Sequence, residues 1–388
     1  MPELLKHRYS PRYIAEVARA VRAEQPRFDA ADFTRTVLGD GWSDLELKAR
    51  MRRIAAALHA HLPGSYRQQL AVLKRAAPPF GGFEGMFFPD FVEQFGQHDF
   101  EASLVALEHF TRYSSSEFAV RPFIASEPER TLARMLDWAG HENEHVRRLA
   151  SEGSRPRLPW GMRLPALIAD PTPILPILER LRADPSGMVR RSVANNLNDI
   201  AKDHPALVLD LARLWHGESA ATDTLLKHAC RTLLKRGDAG ALRLFGHDHE
   251  VQASVADFRL AVARLPIGGT LAFSFAVALR QKEAARLRLE YAVDFVKANA
   301  SASRKVFKIG ERRFEPGERA RIERRHRFTD FSTRRHYPGP HRITILVNGI
   351  ERARRTLRLL ASSQALQPPA TCRPGPRRGE DASVRIAE

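Results

Sequence analysis

The feature that most constrains this chain is a repeated string. His145-Val146-Arg147-Arg148 recurs as Met188-Val189-Arg190-Arg191, a step of 43 residues, and a looser echo follows at Leu226-Lys227-His228-Ala229-Cys230-Arg231. A short helical stretch precedes each copy, at 131–139, 173–183 and 205–215, and each turn carries breakers: Gly140, then Asp184-Pro185-Ser186-Gly187, then Gly217. Helix–turn–helix units with a period of about 40 residues are the signature of HEAT-type solenoids. Such units stack, so equivalent faces line up into one concave surface. Arg147, Arg148, Arg190, Arg191, Lys227 and Arg231 then form a basic strip on the second helices, the plain alternative being a solvated helix face.

The period changes near residue 266. Leu271, Phe273, Phe275, Val277 and Leu279 alternate with small residues, and Leu287, Leu289, Tyr291, Val293 and Phe295 alternate with polar ones. Both runs read as strands with one buried face. Shorter strands are expected at 305–309, 319–328 and 342–347, and a hairpin turn at Asn348-Gly349 leads into a last strand near 356–360. The expected architecture is an α-solenoid of HEAT-like repeats over 1–265, an immunoglobulin-like β-sandwich over 266–360 and a disordered tail over 361–388. The net charge of +17 is unevenly spread. Residues 266–360 hold 22 basic and nine acidic residues, a surplus of 13, whereas 1–265 carries a surplus of three. One segment is therefore suited to a polyanion. No apolar run approaches the ~18 residues of a membrane span, and the start lacks a signal peptide. The two cysteines, Cys230 and Cys372, form no CxxC pair, which argues against a disulfide framework and a cysteine-based zinc site. A cytoplasmic, nucleoid-associated monomer without a cofactor is expected.

His141-Glu142-Asn143-Glu144-His145 matches the HExxH zinc-protease pattern, which needs both histidines on one helix face. Here Gly140 precedes His141, and Asn143 suits the N-cap of the following helix. His141 then lies in the turn, and metal binding is not expected. Acidic residues among the basic repeats are more informative. Glu152 ends one second helix and is followed by an irregular loop, Gly153 to Gly161, in which Trp160 stands between Pro159 and Gly161. Asp199 lies near the end of the next second helix, and Glu117 near the start of an earlier one. If second helices line the inner curve, the three carboxylates can converge there. Each also has a structural reading: Glu117 as a capping residue, Glu152 or Asp199 paired with a repeat arginine, Trp160 as a loop anchor.

At these residues the chain resembles the AlkC family of alkylpurine DNA glycosylases. The similar stretches run from Phe80 to Asp90 (FGGFEGMFFPD), Ser114 to Ile124 (SSSEFAVRPFI), Val146 to Trp160 (VRRLASEGSRPRLPW) and Val189 to Ile200 (VRRSVANNLNDI), with a weaker one from Lys227 to Lys235 (KHACRTLLK). The likeness extends to about residue 360. It implies a HEAT-like glycosylase domain with an added immunoglobulin-like domain, double-stranded DNA with alkylated bases as partner, and excision of 3-methyladenine and 3-methylcytosine without base flipping. It also implies catalytic positions at Glu117, Glu152, Trp160 and Asp199. Under that resemblance Asp199 and Glu117 handle water and charge, Glu152 lies close to the sugar, Trp160 packs on the deoxyribose, and the repeat arginines with Lys227 hold phosphates. The β-sandwich arginines, among them Arg324, Arg325, Arg334 and Arg335, are expected to clamp the duplex through its phosphates. The rival reading is a non-catalytic HEAT-repeat protein that binds nucleic acid or another protein.

Overall fold

Capping side chains open two of the three second helices. Asn143 accepts the His145 amide at 2.9 Å ahead of helix Glu144–Gly153, and Ser219 Oγ accepts the Thr222 amide at 3.0 Å ahead of Ala220–Ala229. Between them, Gly187–Ile200 buries Val189, Val193, Leu197 and Ile200 along one face. The matching first helices are Pro128–Trp138, Leu175–Leu181 and Pro205–Trp215. Second helices pack against one another, Glu144–Gly153 on Gly187–Ile200 and that on Ala220–Ala229. Leu149, Val193 and Leu226 are fully excluded from water, and each such aliphatic side chain contributes roughly 1.5–3 kcal/mol. The repeats are therefore a HEAT-like α-solenoid.

The computed structural model describes residues 5–330 and 335–361. Arg334 and the expected tail, Ala361 apart, lie outside the described residues. The chain divides into two compact units, Met1–Leu234 and Lys235–Glu388. No helix among the described residues is long and apolar enough to cross a membrane.

In the second unit eight strands are described: β1 (Ala253–Leu260), β2 (Arg264–Pro266), β3 (Thr270–Leu279), β4 (Ala285–Val296), β5 (Ala302–Phe314), β6 (Arg319–Arg327), β7 (Gly339–Val347) and β8 (Ile350–Leu360). They form a three-stranded sheet β1-β3-β6 and a five-stranded sheet β2-β8-β7-β4-β5. Phe273 and Phe275 of the first sheet share one core with Tyr291, Phe295, Ile343 and Ile345 of the second, giving an immunoglobulin-like sandwich. Asn348 and Gly349 both have positive φ, 46° and 78°, which is the two-residue hairpin that the pair encodes. Asn348 is also fully buried: its Oδ1 accepts the Arg288 amide and its Nδ2 donates to the Asp248 carbonyl, each at 2.7 Å.

The first strand starts at Ala253, ahead of the period change near 266. Its alternation is broken by a register shift between Ala256 and Arg259, where Asp257 has φ 54°. A bulged edge strand with exposed charges hides its own period.

Candidate active site

Three consecutive serines build the turn that carries Glu117. Ser114 Oγ donates to the Gly82 carbonyl and the buried Ser116 Oγ to the Leu107 carbonyl, each at 2.7 Å. Between these two anchors Ser115 Oγ donates to Glu117 Oε2 at 2.8 Å. Arg148 Nη2 reaches the same oxygen at 2.9 Å from the neighbouring second helix, and stands 3.9 Å from Glu152 Oε1. Glu152 lies one turn further along that helix. It accepts from Arg155 Nη1 at 2.6 Å on Oε1 and from Ser192 Oγ at 2.6 Å on Oε2. Arg155 then passes its Nε to Asp199 Oδ2 at 2.9 Å, and Lys202 closes the series on Asp199 Oδ1 at 2.8 Å. Carboxylates and cations thus alternate from Glu117 to Lys202.

Charge-assisted bonds of this kind are short and directional, and every carboxylate in the series is held from at least two sides. Arg155 is buried, which disfavours its charge, but Glu152 and Asp199 more than compensate and hold its pKa above the usual guanidinium range. Arg121 shows the opposite balance. Burial first, and the nearby Arg155 second, push it down to about 10. Its Nε donates to the Met162 carbonyl at 2.6 Å and its Nη1 to the Gly153 carbonyl at 2.7 Å. One fully buried side chain therefore pins both ends of the loop that carries Arg155 and Trp160.

Glu117, Glu152, Arg148, Arg155, Phe118 and Trp160 line one cleft of about 590 Å³. Trp160 is 66 % exposed, with Phe83 edge-on to its indole at 6.3 Å. The structure therefore brings Glu117, Glu152 and Trp160 together. Asp199 is joined to them through Arg155 and does not appear on the cleft wall. Side-chain exposure falls from 16 % at Glu117 to 7 % at Glu152 and 2 % at Asp199. Both Asp199 oxygens are occupied by cations, and Asp199 is the least accessible of the three.

The basic strip is interrupted. Arg147 spends its guanidinium on Asp184, with Nε at 2.6 Å, and on the carbonyls of His141 and Glu142. Arg190 Nη1 donates to the carbonyls of Asp184 and Pro185. Both arginines tie down the inter-repeat turn. Arg231 donates to the His228 carbonyl at 2.7 Å and to Asn195 Oδ1 at 3.1 Å, Lys227 is half-buried, and Arg191 is exposed. In the sandwich Arg324, Arg325 and Arg335 are exposed, though Arg324 also donates to the Glu323 and Ile309 carbonyls. Of the HExxH histidines, His141 sits in the turn and accepts the Asn143 amide on Nδ1 at 2.9 Å, while His145 lines the cleft. Among the described residues no group of three His, Cys, Asp or Glu side chains could hold a metal ion.

Sequence reasoning missed Arg155, Arg121 and Ser192. The first had a signal, a basic residue three positions after Glu152 on the loop already singled out.

Residues 100–233 match the family described as DNA alkylation repair enzyme, and residues 254–361 match the C-terminal immunoglobulin-like domain of the uncharacterised protein YhaZ. The uncharacterized protein YhaZ of Bacillus subtilis (strain 168) is 47 % identical over 345 residues, covering 89 % of this chain and 96 % of that protein. Among solved structures, the alkylpurine DNA glycosylase AlkC of Pseudomonas fluorescens, bound to DNA containing an abasic-site analogue, is 38 % identical. It superposes with a TM-score of 0.90 over 92 % of this chain and 100 % of that one. On these likenesses the chain belongs to the AlkC family of alkylpurine DNA glycosylases.

Proposed function

We propose that the protein hydrolyses the N-glycosidic bond of cationic alkylated bases in DNA, 3-methyladenine and 3-methylcytosine among them, without flipping the lesion, as a monofunctional glycosylase. The observation that carries this reading is the pair of carboxylates, Glu117 and Glu152, held on one cleft beside an exposed indole. A base alkylated on a ring nitrogen departs as a neutral molecule, so no acid is required to protonate it. The barrier lies in the sugar, which becomes oxocarbenium-like as the bond breaks. Fixed carboxylates beside it supply the compensating field without reorganising, an effect commonly worth several kcal/mol.

Glu117, the more accessible carboxylate, orients water and takes its proton during attack at C1′. Glu152 faces the sugar, and Trp160 offers its ring face to the developing cation. Asp199 acts through Arg155, holding that guanidinium against Glu152. Arg191 and Lys227, with the exposed sandwich arginines, hold phosphates and carry no base information. Serial ion pairing explains how three carboxylates survive where phosphates must approach: each is already matched by a cation when the ligand is away.

The test is release of free base from methylated duplexes by purified protein, with a uracil duplex alongside. Release of methylated bases and not of uracil is expected. Glu152→Gln should slow release by about 100- to 1,000-fold and keep affinity for a duplex carrying an abasic-site analogue. Wild-type protein that binds DNA and releases nothing would leave the non-catalytic reading standing.

A further inference from the structure

We propose that Lys48 is a positioning residue of this cleft, whose ammonium holds Trp160 in the backbone conformation that presents its indole. The proposal rests on the glycosylase reading for its kinetic consequence, though not for its structural one.

Trp160 has φ 63°, in the left-handed region. Bulky side chains avoid this region, and where one persists the surroundings must over-determine it. Three contacts do so. The Gly161 amide donates to the Leu158 carbonyl at 3.2 Å and closes a turn around Trp160. Phe83 buttresses the indole from its edge. Lys48 Nζ donates to the carbonyl of Trp160 itself at 2.6 Å, across 112 residues of sequence. The turn bond constrains the Trp160 backbone from within the loop; the Lys48 bond constrains it from outside, through the Trp160 carbonyl, and is charge-assisted.

The same ammonium lies 4.3 Å over the ring of Phe118, the residue after Glu117. A cation over an aromatic face is attracted to it. One amine thus ties the tryptophan loop to the turn that carries Glu117, so it fixes the indole relative to the carboxylate. Lys48 is suited to this task. It stands in the first turn of helix Leu47–His61, whose Ile54 and Leu58 are fully buried, so its backbone is anchored while its own side chain is exposed. Removing the amine therefore leaves the core intact. Lys48 also lies outside the span matched to the DNA alkylation repair enzyme family, which begins at residue 100.

The experiment uses Lys48→Met, which keeps the aliphatic stem, and Lys48→Arg, which keeps a cationic donor, each in the wild-type and Trp160→Ala backgrounds. Single-turnover release from a methylated duplex should slow about tenfold in Lys48→Met, recover most of that in Lys48→Arg, and leave affinity for an abasic-analogue duplex unchanged. In the Trp160→Ala background Lys48→Met should add nothing. Tryptophan emission of the free protein should differ between wild type and Lys48→Met, and the difference should vanish once Trp160 is gone. Independent, additive losses of rate would overturn the proposal. So would weaker DNA affinity with a flatter salt dependence, which marks a phosphate contact. Unchanged emission would overturn it as well. The emission arm needs no substrate: if wild-type protein releases no base, the glycosylase reading fails while the Lys48–Trp160 linkage is still decided.

Discussion

Arg155 in the helical unit and Arg288 in the sandwich occupy nearly the same chemical surroundings, yet Arg155 lines the cleft of Glu117 and Trp160. Arg155, 8 % exposed, holds Glu152 at 2.6 Å and Asp199 at 2.9 Å. Arg288, 5 % exposed, holds Glu290 at 2.6 Å and stands 3.5 Å from Glu311, which His247 and Lys308 also approach. The difference is that Arg155 and Glu152 line a cleft, whereas Arg288 and Glu290 are buried in the sandwich. Charge pairing and burial alone do not mark a candidate site; pairing along an open cleft, beside an exposed aromatic, is the further feature that Arg155 has.

Removing each arginine is the largest test of that contrast. Arg155→Met and Arg288→Met each leave two carboxylates without their guanidinium, and breaking a buried pair typically costs about 3–5 kcal/mol. Calorimetry should show comparable destabilisation in both. Base release per folded molecule should then separate them, falling below detection in Arg155→Met and staying at the wild-type rate in Arg288→Met. Equal loss of activity in the two variants would erase the distinction drawn between the clusters.

Two buried carboxyls sharpen the same comparison. Asp90, on helix Phe87–Phe95, is pushed up from 3.8 to about 6, first by burial and then by Glu93. Its close partner is the Gln94 amide at 2.6 Å, with Arg52 at 3.9 Å. Glu290 is also raised by burial, against the pull of Arg288. A folded-state pKa above the unfolded one means that the folded protein binds the proton more tightly. The associated stability is fully present below the unfolded value of 3.8 and is lost as pH rises through about 6. Asp90→Asn removes that loss and should stabilise the protein by about 3 kcal/mol at neutral pH, the gain shrinking to under about 1 kcal/mol near pH 4. Glu290→Gln should instead lose stability, because it leaves the buried Arg288 charge facing an amide. Denaturant melts at the two pH values decide both, and a pH-independent gain at Asp90 would mean that packing, not ionisation, is responsible.

What was legible in the sequence was local. Asn143 as an N-cap, the Asn348-Gly349 hairpin and the 43-residue step each depend on residues near one another in the chain. Glu117, Glu152, Trp160 and Asp199 stood out because they stand in unusual strings; of the three carboxylates expected to converge, Glu117 and Glu152 line one cleft with Trp160, and Asp199 is joined to them through Arg155. The cations that organise them were not legible, because their partners are distant: Arg155 meets Asp199 across 44 residues, Arg121 meets Met162 across 41, and Lys48 meets Trp160 across 112. Arg147 and Arg190 are ambiguous for the converse reason. Repetition shows that a residue has an equivalent role in each unit, but fixing the turn at Asp184 repeats as faithfully as holding a phosphate would.

That ambiguity gives the mildest test, in which substitutions in the two units should act in opposite ways. Arg325 and Arg335 are exposed in the sandwich, and if they meet phosphates each accounts for about 0.9 of the slope of log affinity against log salt. Arg325→Gln combined with Arg335→Gln should weaken duplex binding about tenfold and flatten that slope by about 1.8, without lowering the melting temperature. Arg147→Gln should do the reverse. It breaks an interaction with Asp184, whose side chain is 4 % exposed, so melting falls while the salt slope stays where it was. Titrations of one duplex at several salt concentrations measure both. A flattened slope in the Arg147 variant, with none in the sandwich variant, would give Arg147 a phosphate and leave the positive surplus of the sandwich without a ligand.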